Sequence, residues 1–162
     1  MKIHVQPHSL TVKWNGIARE LKSEAIVISI VDRTISKNIT ALWDTGATNS
    51  VISTKLASKL NLPPVGITRV NGVGGVHETR QFLVSIQLQN KVTYSPVLVT
   101  EGDFADFDLL IGMDIIATGS FAVTNKNNCT WMSFSHPSVE HVDYVQKYPI
   151  KKQGNPRAWK KR

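Results

Sequence analysis

A carboxyl group placed directly after a buried strand is the feature of this sequence best suited to do chemistry. The mainly apolar run 39–43 is typical of a short buried strand, and it leads into Asp44 and then Thr45-Gly46. We expect a sharp bend there, for which Gly46 supplies the backbone freedom. A carboxylate in this position is costly to desolvate unless it is hydrogen-bonded, paired or used. The Gly46 N–H and the Thr45 and Thr48 hydroxyls are the nearby donors in the sequence.

Hydrolysis of an amide by carboxylates needs two of them, and this chain contains one Asp-Thr-Gly. One carboxylate acts as general base on a water and the other as general acid, and the pair shares a proton because like charges ~3 Å apart cannot both ionise. Within the chain, Asp114 is expected to cap a short helix, and Asp103, Asp106 and Asp108 lie in or beside an acidic loop. A second copy of Asp44, placed alongside by the two-fold axis of a homodimer, is the more economical partner.

A glycine-rich stretch, Asn71 to His77, predicts a hairpin whose tip is nearly free of side chains. Such a tip can lie over an extended peptide, hydrogen-bond to it, and open and close. A phosphate-binding loop is a weaker interpretation, because neither Lys-Ser/Thr nor a helical pattern follows. A plain flexible hairpin remains the simpler alternative.

Three stretches resemble, in the required order, those of the retropepsin-like aspartic proteases. Residues 44–50, with apolar residues on both sides, resemble the active-site loop. Residues 71–82 are similar to the flap hairpin and the Arg-Gln-aromatic that follows it. Residues 108–116 resemble the apolar strand, glycine and short helix that close the loop from behind. Together they span roughly residues 25 to 134.

The resemblance implies a role for each of these residues, with Asp44 as the catalytic residue. The expected active-site loop residues are Thr45, Gly46 and Ala47, the substrate-binding flap is Gly72, Val73, Gly74 and Gly75, and the supporting segment is Leu110, Ile111 and Gly112. By the same likeness, Thr45 braces the paired loops across the two-fold axis.

The resemblance also implies an all-β fold, a retropepsin-like closed β-barrel with short helices and one lobe per chain. The implied function is that of an aspartic endopeptidase, a homodimer that hydrolyses extended peptides with one catalytic Asp from each subunit and without metal or organic cofactor. The chain departs from the viral enzymes at Thr48 and Met113, where those often have an Asp and an Arg that form a salt bridge. In this respect it looks more like the cellular and bacterial members.

The hydrophobic pattern predicts short strands at short intervals, which favours an all-β barrel or sandwich over βαβ units. Ser53 is expected to cap a short helix over 54–60, and Pro96 to mark an edge or a bulge in a strand over 92–100. A final hairpin is predicted from 121–124 and 130–134. The predicted domain organisation is an N-terminal extension or strand (1–24), a protease domain (25–134) and a basic C-terminal tail (135–162).

The formal charge of +7 is concentrated in that tail. From Ser135 onward, seven Lys or Arg oppose two carboxylates, which leaves the body nearly neutral. A basic tail of this kind can contact nucleic acid or another anionic surface, although a solvated tail is the interpretation we favour.

The single cysteine, Cys129, suits a reducing compartment and predicts a cytoplasmic protein, as does the absence of a secretory segment or of an apolar run long enough to span a bilayer. The five histidines and one cysteine show no spacing that predicts a zinc site. A second class of function stays open, in which the same fold is a catalytically silent peptide-binding or dimerisation module.

Overall fold

The structure is a computed structural model that describes residues 6–72 and 75–149. It contains ten strands and three short helices in the described part of the chain. The strands are β1 (His8–Asn15), β2 (Lys22–Ser29), β3 (Ser36–Trp43), β4 (Val51–Ser53), β5 (Gly66–Gly72), β6 (Gly75–Leu88), β7 (Thr93–Gly102), β8 (Leu109–Ile111), β9 (Ser120–Lys126) and β10 (Cys129–His136). The helices are α1 (Thr54–Lys59), α2 (Met113–Ile116) and α3 (Tyr144–Lys147).

Six of these strands close into a barrel in the order β2-β3-β8-β4-β7-β6, with β6 pairing back to β2. Most pairs are antiparallel, but β3 and β8 are parallel, as are β4 and β7. The interior is filled by alternate side chains of the strands, among them Val27, Ile52, Phe82, Ile86 and Ile111, each at most 1 % exposed. The prediction of an all-β closed barrel with short helices is therefore confirmed.

Strand β8 lies between β3 and β4, which are consecutive in the chain. The connection from β3 to β4, residues 44–50, must therefore arch over the end of β8. This crossing brings the Asp-Thr-Gly turn onto the residues that leave β8.

A three-stranded sheet, in the order β1-β10-β9, shares the apolar core of the barrel, since Leu10, Met132 and Phe134 belong to the same buried cluster. Trp43 at the end of β3 joins the two, because its ring stacks on Phe121 at 5.5 Å and lies 5.1 Å from Phe134. Its buried indole N–H donates to Ser23 Oγ at 2.9 Å. Strand β1 pairs with β10 along its whole length. The division into 1–24, 25–134 and 135–162 stays a prediction.

Several local predictions are confirmed. Ser53 caps α1, since its hydroxyl accepts the Leu56 N–H at 3.1 Å. The register of β6 and β7 shifts at Ser95-Pro96, which is the bulge that the proline predicted. The final hairpin is present as β9 and β10. In the described part of the chain, no helix is both long and apolar enough to cross a membrane.

The β5–β6 hairpin projects from the barrel, since β5 pairs only with β6 in the described residues. An ion pair holds its root: Arg80 Nε on β6 lies 2.8 Å from Glu101 Oε2 on β7, and the guanidinium makes a second bond to the same carboxylate. The Thr79 hydroxyl adds a bond of 2.8 Å to the Glu101 carbonyl. The Arg80 guanidinium holds the pKa of Glu101 below its ordinary value, against a smaller opposing effect of burial.

We predict that Glu101→Gln lowers the free energy of unfolding at pH 7. A carboxylate with a lowered pKa in the folded state contributes stability above its unfolded-state pKa, and this is lost as the pH falls through the folded-state pKa. The difference between variant and wild type should therefore narrow in acid. Urea unfolding from pH 7 to pH 3 measures it, with Glu24→Gln at an exposed position as control. Equal pH dependence of wild type and Glu101→Gln would contradict the prediction.

Candidate active site

Asp44 lies at the point where β3 ends and the arch over β8 begins. Its N–H donates to the Ile111 carbonyl at 3.0 Å, which continues the parallel pairing of β3 and β8 by one residue. Its side chain is half-buried, and Oδ1 accepts the Gly46 N–H at 2.8 Å. The predicted Gly46 donor is therefore present. No hydrogen bond from the Thr45 or Thr48 hydroxyl to this carboxylate occurs in the described part of the structure.

Gly46 matters because it lacks a side chain and not because of its backbone freedom. It does not adopt a positive φ, so the expected reason for this glycine is wrong. A Cβ at this position would lie 3.1 Å from Asp44 Oδ1, tighter than ordinary van der Waals contact. The absence of a side chain lets the carboxylate approach the Gly46 N–H.

Gly112 lies directly beneath the arch. A Cβ there would lie 2.6 Å from the carbonyl carbon of Asn49 and 3.0 Å from the Ala47 carbonyl oxygen. Leu110 and Ile111, the other members of the expected supporting segment, are buried in β8. The structure thus brings the predicted loop and its predicted support into contact.

A polar bridge fixes the arch to α2. The fully buried Ser50 donates its hydroxyl to Asp114 Oδ1 at 2.8 Å and its N–H to Oδ2 at 3.0 Å. The same Ser50 oxygen accepts the Gly112 N–H at 3.1 Å. Asp114 was expected to cap the helix, but the N-cap of α2 is Gly112. The Asp114 carboxylate accepts one hydrogen bond from the Ile115 N–H, and its other bonds are those to Ser50.

This bridge stands in the region where Thr48 and Met113 lack the ion pair of the viral enzymes. Two backbone hydrogen bonds also join the arch to the start of α2. The Met113 N–H donates to the Ala47 carbonyl at 2.8 Å, and the Asp114 N–H donates to the Thr48 carbonyl at 3.1 Å. Sequence reasoning missed Ser50, since a serine 64 positions from its carboxylate has no local pattern that marks the pair.

A cavity of about 420 Å³ opens beside Asp44. Its walls come from β3, the segment before β2, and β9, and the lining residues are Arg19, Glu20, Leu21, Leu42, Trp43, Asp44, Thr45, Phe121 and Val123. Glu20 is the other carboxylate in this lining, and Lys22 binds it at 2.7 Å. Asp108 lies directly before β8, at the end of that strand away from Asp44, where its N–H donates to the Thr40 carbonyl.

The expected flap is the β5–β6 hairpin, in which Gly72 pairs with Gly75. Gly75 has a φ of +105° and no atom within 4 Å of the place a Cβ would occupy. Val73 and Gly74, also predicted for the flap, lie outside the described residues. The hairpin therefore has a glycine where the backbone conformation and an open surrounding favour one.

One family model matches this chain, and several solved structures resemble its fold. A family model described as aspartyl protease matches residues 29–115, more than half of the chain. A retropepsin-like aspartic protease from Rickettsia conorii superposes with a TM-score of 0.51 at 12 % identity, covering 82 % of this chain and 98 % of that one. EIAV protease bound to an inhibitor gives 0.46 at 22 % identity, over 61 % and 86 % of the two chains. The protease-like domain of Ddi1 from Leishmania major gives 0.41 at 18 %, over 66 % and 84 %. No curated protein sequence matches the chain.

We predict that Ser50→Ala destabilises the fold by about 1 to 3 kcal/mol, because Gly112 N–H loses its acceptor and Asp114 loses a donor in a buried setting. Thr48→Ala is the control, since Thr48 is exposed and its hydroxyl makes no hydrogen bond within the described residues. Urea unfolding at neutral pH compares the two. A loss of stability no larger in Ser50→Ala than in Thr48→Ala would show that the bridge contributes nothing.

Proposed function

Because this chain belongs to the aspartyl protease family, we propose that it is an aspartic endopeptidase whose active site is shared across a homodimer. The observation that carries the proposal is the setting of Asp44, a half-exposed carboxylate at a strand end that opens on a cavity. Its Oδ1 is held by the Gly46 N–H, and its loop is supported from behind by Gly112. Such a group is oriented for reaction while still accessible to a water and a peptide.

The proposed reaction uses two Asp44 side chains with one proton between them. The ionised carboxylate takes a proton from a water, whose oxygen attacks the peptide carbonyl carbon. The protonated carboxyl of the other copy gives its proton to the carbonyl oxygen, which leaves a tetrahedral intermediate with two hydroxyl groups. The first carboxyl then gives the proton that it took from the water to the amide nitrogen as the C–N bond breaks, and one hydroxyl of the intermediate returns a proton to the second carboxylate. The products are a new carboxyl terminus and a new amine, and the pair regains its single shared proton.

The unpaired edge of β9 indicates where two copies of the chain would meet in the proposed homodimer. In the described part of the chain β9 pairs only with β10, so its other edge is left without a strand. Phe121 and Val123 of β9 line the cavity beside Asp44 and Thr45. A second β9 paired antiparallel across a two-fold axis would therefore lie next to both Asp44 loops.

The β5–β6 hairpin is the proposed flap over the substrate, with Gly72, Gly75 and the intervening Val73-Gly74 at its tip. An extended peptide beneath it would hydrogen-bond to backbone that no side chain shields. The lone Cys129 supports a reducing, cytoplasmic setting. The solvated basic tail that we favour, and the alternative that it contacts nucleic acid or another anionic surface, both stay predictions, since residues 150–162 lie outside the described part.

We predict that Asp44→Asn lowers peptide hydrolysis by about 1,000-fold or more. The Asn side chain keeps the oxygen that accepts the Gly46 N–H, so the variant should fold and dimerise as wild type does. Cleavage of a peptide library across pH, with sedimentation of both proteins, measures the two effects. A wild type that binds extended peptide but does not cleave it would favour the silent peptide-binding module.

Mixing the two proteins tests whether the site is shared. An excess of Asp44→Asn should suppress wild-type activity after subunit exchange, because most wild-type chains then face an Asn. Excess Asp44→Asn that leaves wild-type activity unchanged, under conditions where mixed dimers form, would mean that each chain holds a complete site.

We predict further that Gly75→Val lowers kcat/KM by about tenfold or more, because a β-branched residue resists a positive φ and obstructs close approach of a peptide. Gly16→Val is the matched control, since Gly16 has a similar φ of +99° and equally open surroundings but lies outside the hairpin. Equal kinetics in the two variants would remove the flap assignment.

A further inference from the structure

After β10 the chain crosses the outer face of the three-stranded sheet. We call residues 138–148 the C-terminal arm. The arm starts beside β9, where Ser138 Oγ lies 2.7 Å from Ser120 Oγ. Between its first half and the sheet lies a groove of about 670 Å³, lined on the sheet side by small residues such as Ser9, Thr11 and Ser133. The arm lies after residues 29–115, the part of the chain that the family model matches.

The second half of the arm has regular structure. Asp143 caps α3, and its Oδ1 accepts the Val145 N–H at 2.8 Å and the Gln146 N–H at 3.1 Å. The rings of Tyr144 and Tyr148, one turn apart, stack with centroids 6.4 Å apart. The arm therefore presents its side chains on a formed turn of helix rather than on featureless chain.

The large apolar side chains of the arm nevertheless remain more than half exposed, and two of them, Val139 and Val142, also line the groove. The exposed ones are Val139 (56 %), Val142 (57 %), Tyr144 (56 %), Val145 (78 %) and Tyr148 (67 %). Burying a side chain of this size stabilises an assembly by about 1.5 to 3 kcal/mol relative to leaving it exposed. Five of them within eleven residues form a patch that the described residues leave uncovered.

A β9–β9 ladder alone is too small to hold two copies together. Seven residues make a strand of about 24 Å, and a strip of that length falls well short of the roughly 800 Å² per partner of a stable interface. The homodimer of the proposed function therefore needs more surface beside β9. The first part of the arm, residues 138–142, lies there, because it lines a groove with β9, and Phe121 of β9 borders both this groove and the cavity next to Asp44.

The charge of the arm agrees with a protein partner. The eleven residues of the arm contain one lysine, Lys147, and two carboxylates, Glu140 and Asp143. Attraction for a polyanion or an anionic lipid surface would therefore have to come from the basic residues after 150 and not from the arm. Tyrosine is instead enriched, and charged residues are depleted, in the buried part of a protein–protein interface.

We propose that the C-terminal arm is part of the surface that a second copy of this chain covers, so that it strengthens the dimer in which the two Asp44 side chains meet. The inference rests on the proposed function for its partner and adds to it a surface outside the protease domain. The arm contributes no group to the reaction. It acts on the rate through the population of dimers.

The test is the dimer dissociation constant of a double variant, Val142→Ser with Val145→Ser, measured by sedimentation over a dilution series. We expect the constant to rise at least tenfold, with the circular dichroism spectrum and the activity per dimer unchanged. Val31→Ser is the matched control, since Val31 is 73 % exposed in the turn between β2 and β3, at the end of β3 remote from Asp44. It should dimerise as wild type does.

Hydrogen exchange of wild type provides a second measurement that needs no variant. Amides of residues 138–148 should be more protected above the dimer dissociation constant than below it. A dimeric wild type in which neither the double variant nor dilution changes anything at the arm would overturn the arm proposal and leave the shared active site standing. A wild type that stays monomeric at every concentration and still cleaves peptides would overturn both.

Discussion

The close approach of Gly112 to the turn after Asp44 is the constraint on which the candidate site depends. Strand β8 runs between two strands that the chain joins by a single arch, so the residue leaving β8 has to pass beneath that arch. With 2.6 Å between a Cβ at Gly112 and the Asn49 carbonyl carbon, no larger residue fits without moving backbone. The strand order of the barrel therefore fixes the position of Asp44, because it forces the loop after Asp44 to pass over Gly112.

Polar groups beneath the arch need partners because they are removed from water. Ser50 provides them by bonding to Gly112 N–H and to both oxygens of Asp114, and all the buried side-chain polar atoms in the described residues have a partner. The Asp114 carboxylate therefore holds the loop that begins at Asp44. In the function proposed for this chain, such rigidity would keep Asp44 within the narrow geometry that acid–base catalysis requires.

Much of the local structure was predictable from the sequence, because its signals lie within a few residues. The Ser53 cap, the bulge at Pro96 and the hydrogen bond from the Gly46 N–H to Asp44 each follow from the chemistry of one residue and its neighbours. The pairing of β1 with β10 and the bridge from Ser50 to Asp114 were not predictable, since periodicity reports which face of a strand is buried and not which distant segment covers it. The lining position of Glu20 was missed for the same reason, as no motif marks a residue that reaches the site through tertiary packing.

Three features that are liabilities in an isolated chain become consistent in a symmetric pair. A lone carboxylate lacks the second proton-transfer group, a free strand edge leaves backbone donors and acceptors open, and an exposed apolar patch favours association. All three lie around β9, where one two-fold axis would satisfy them together. If the site is shared in this way, residues that never touch a substrate still belong to the active site, because they decide how often two Asp44 side chains meet. The equilibrium between monomer and dimer would then decide how much of the protein is active. The free energy of the interface would set the protein concentration at which the enzyme becomes active.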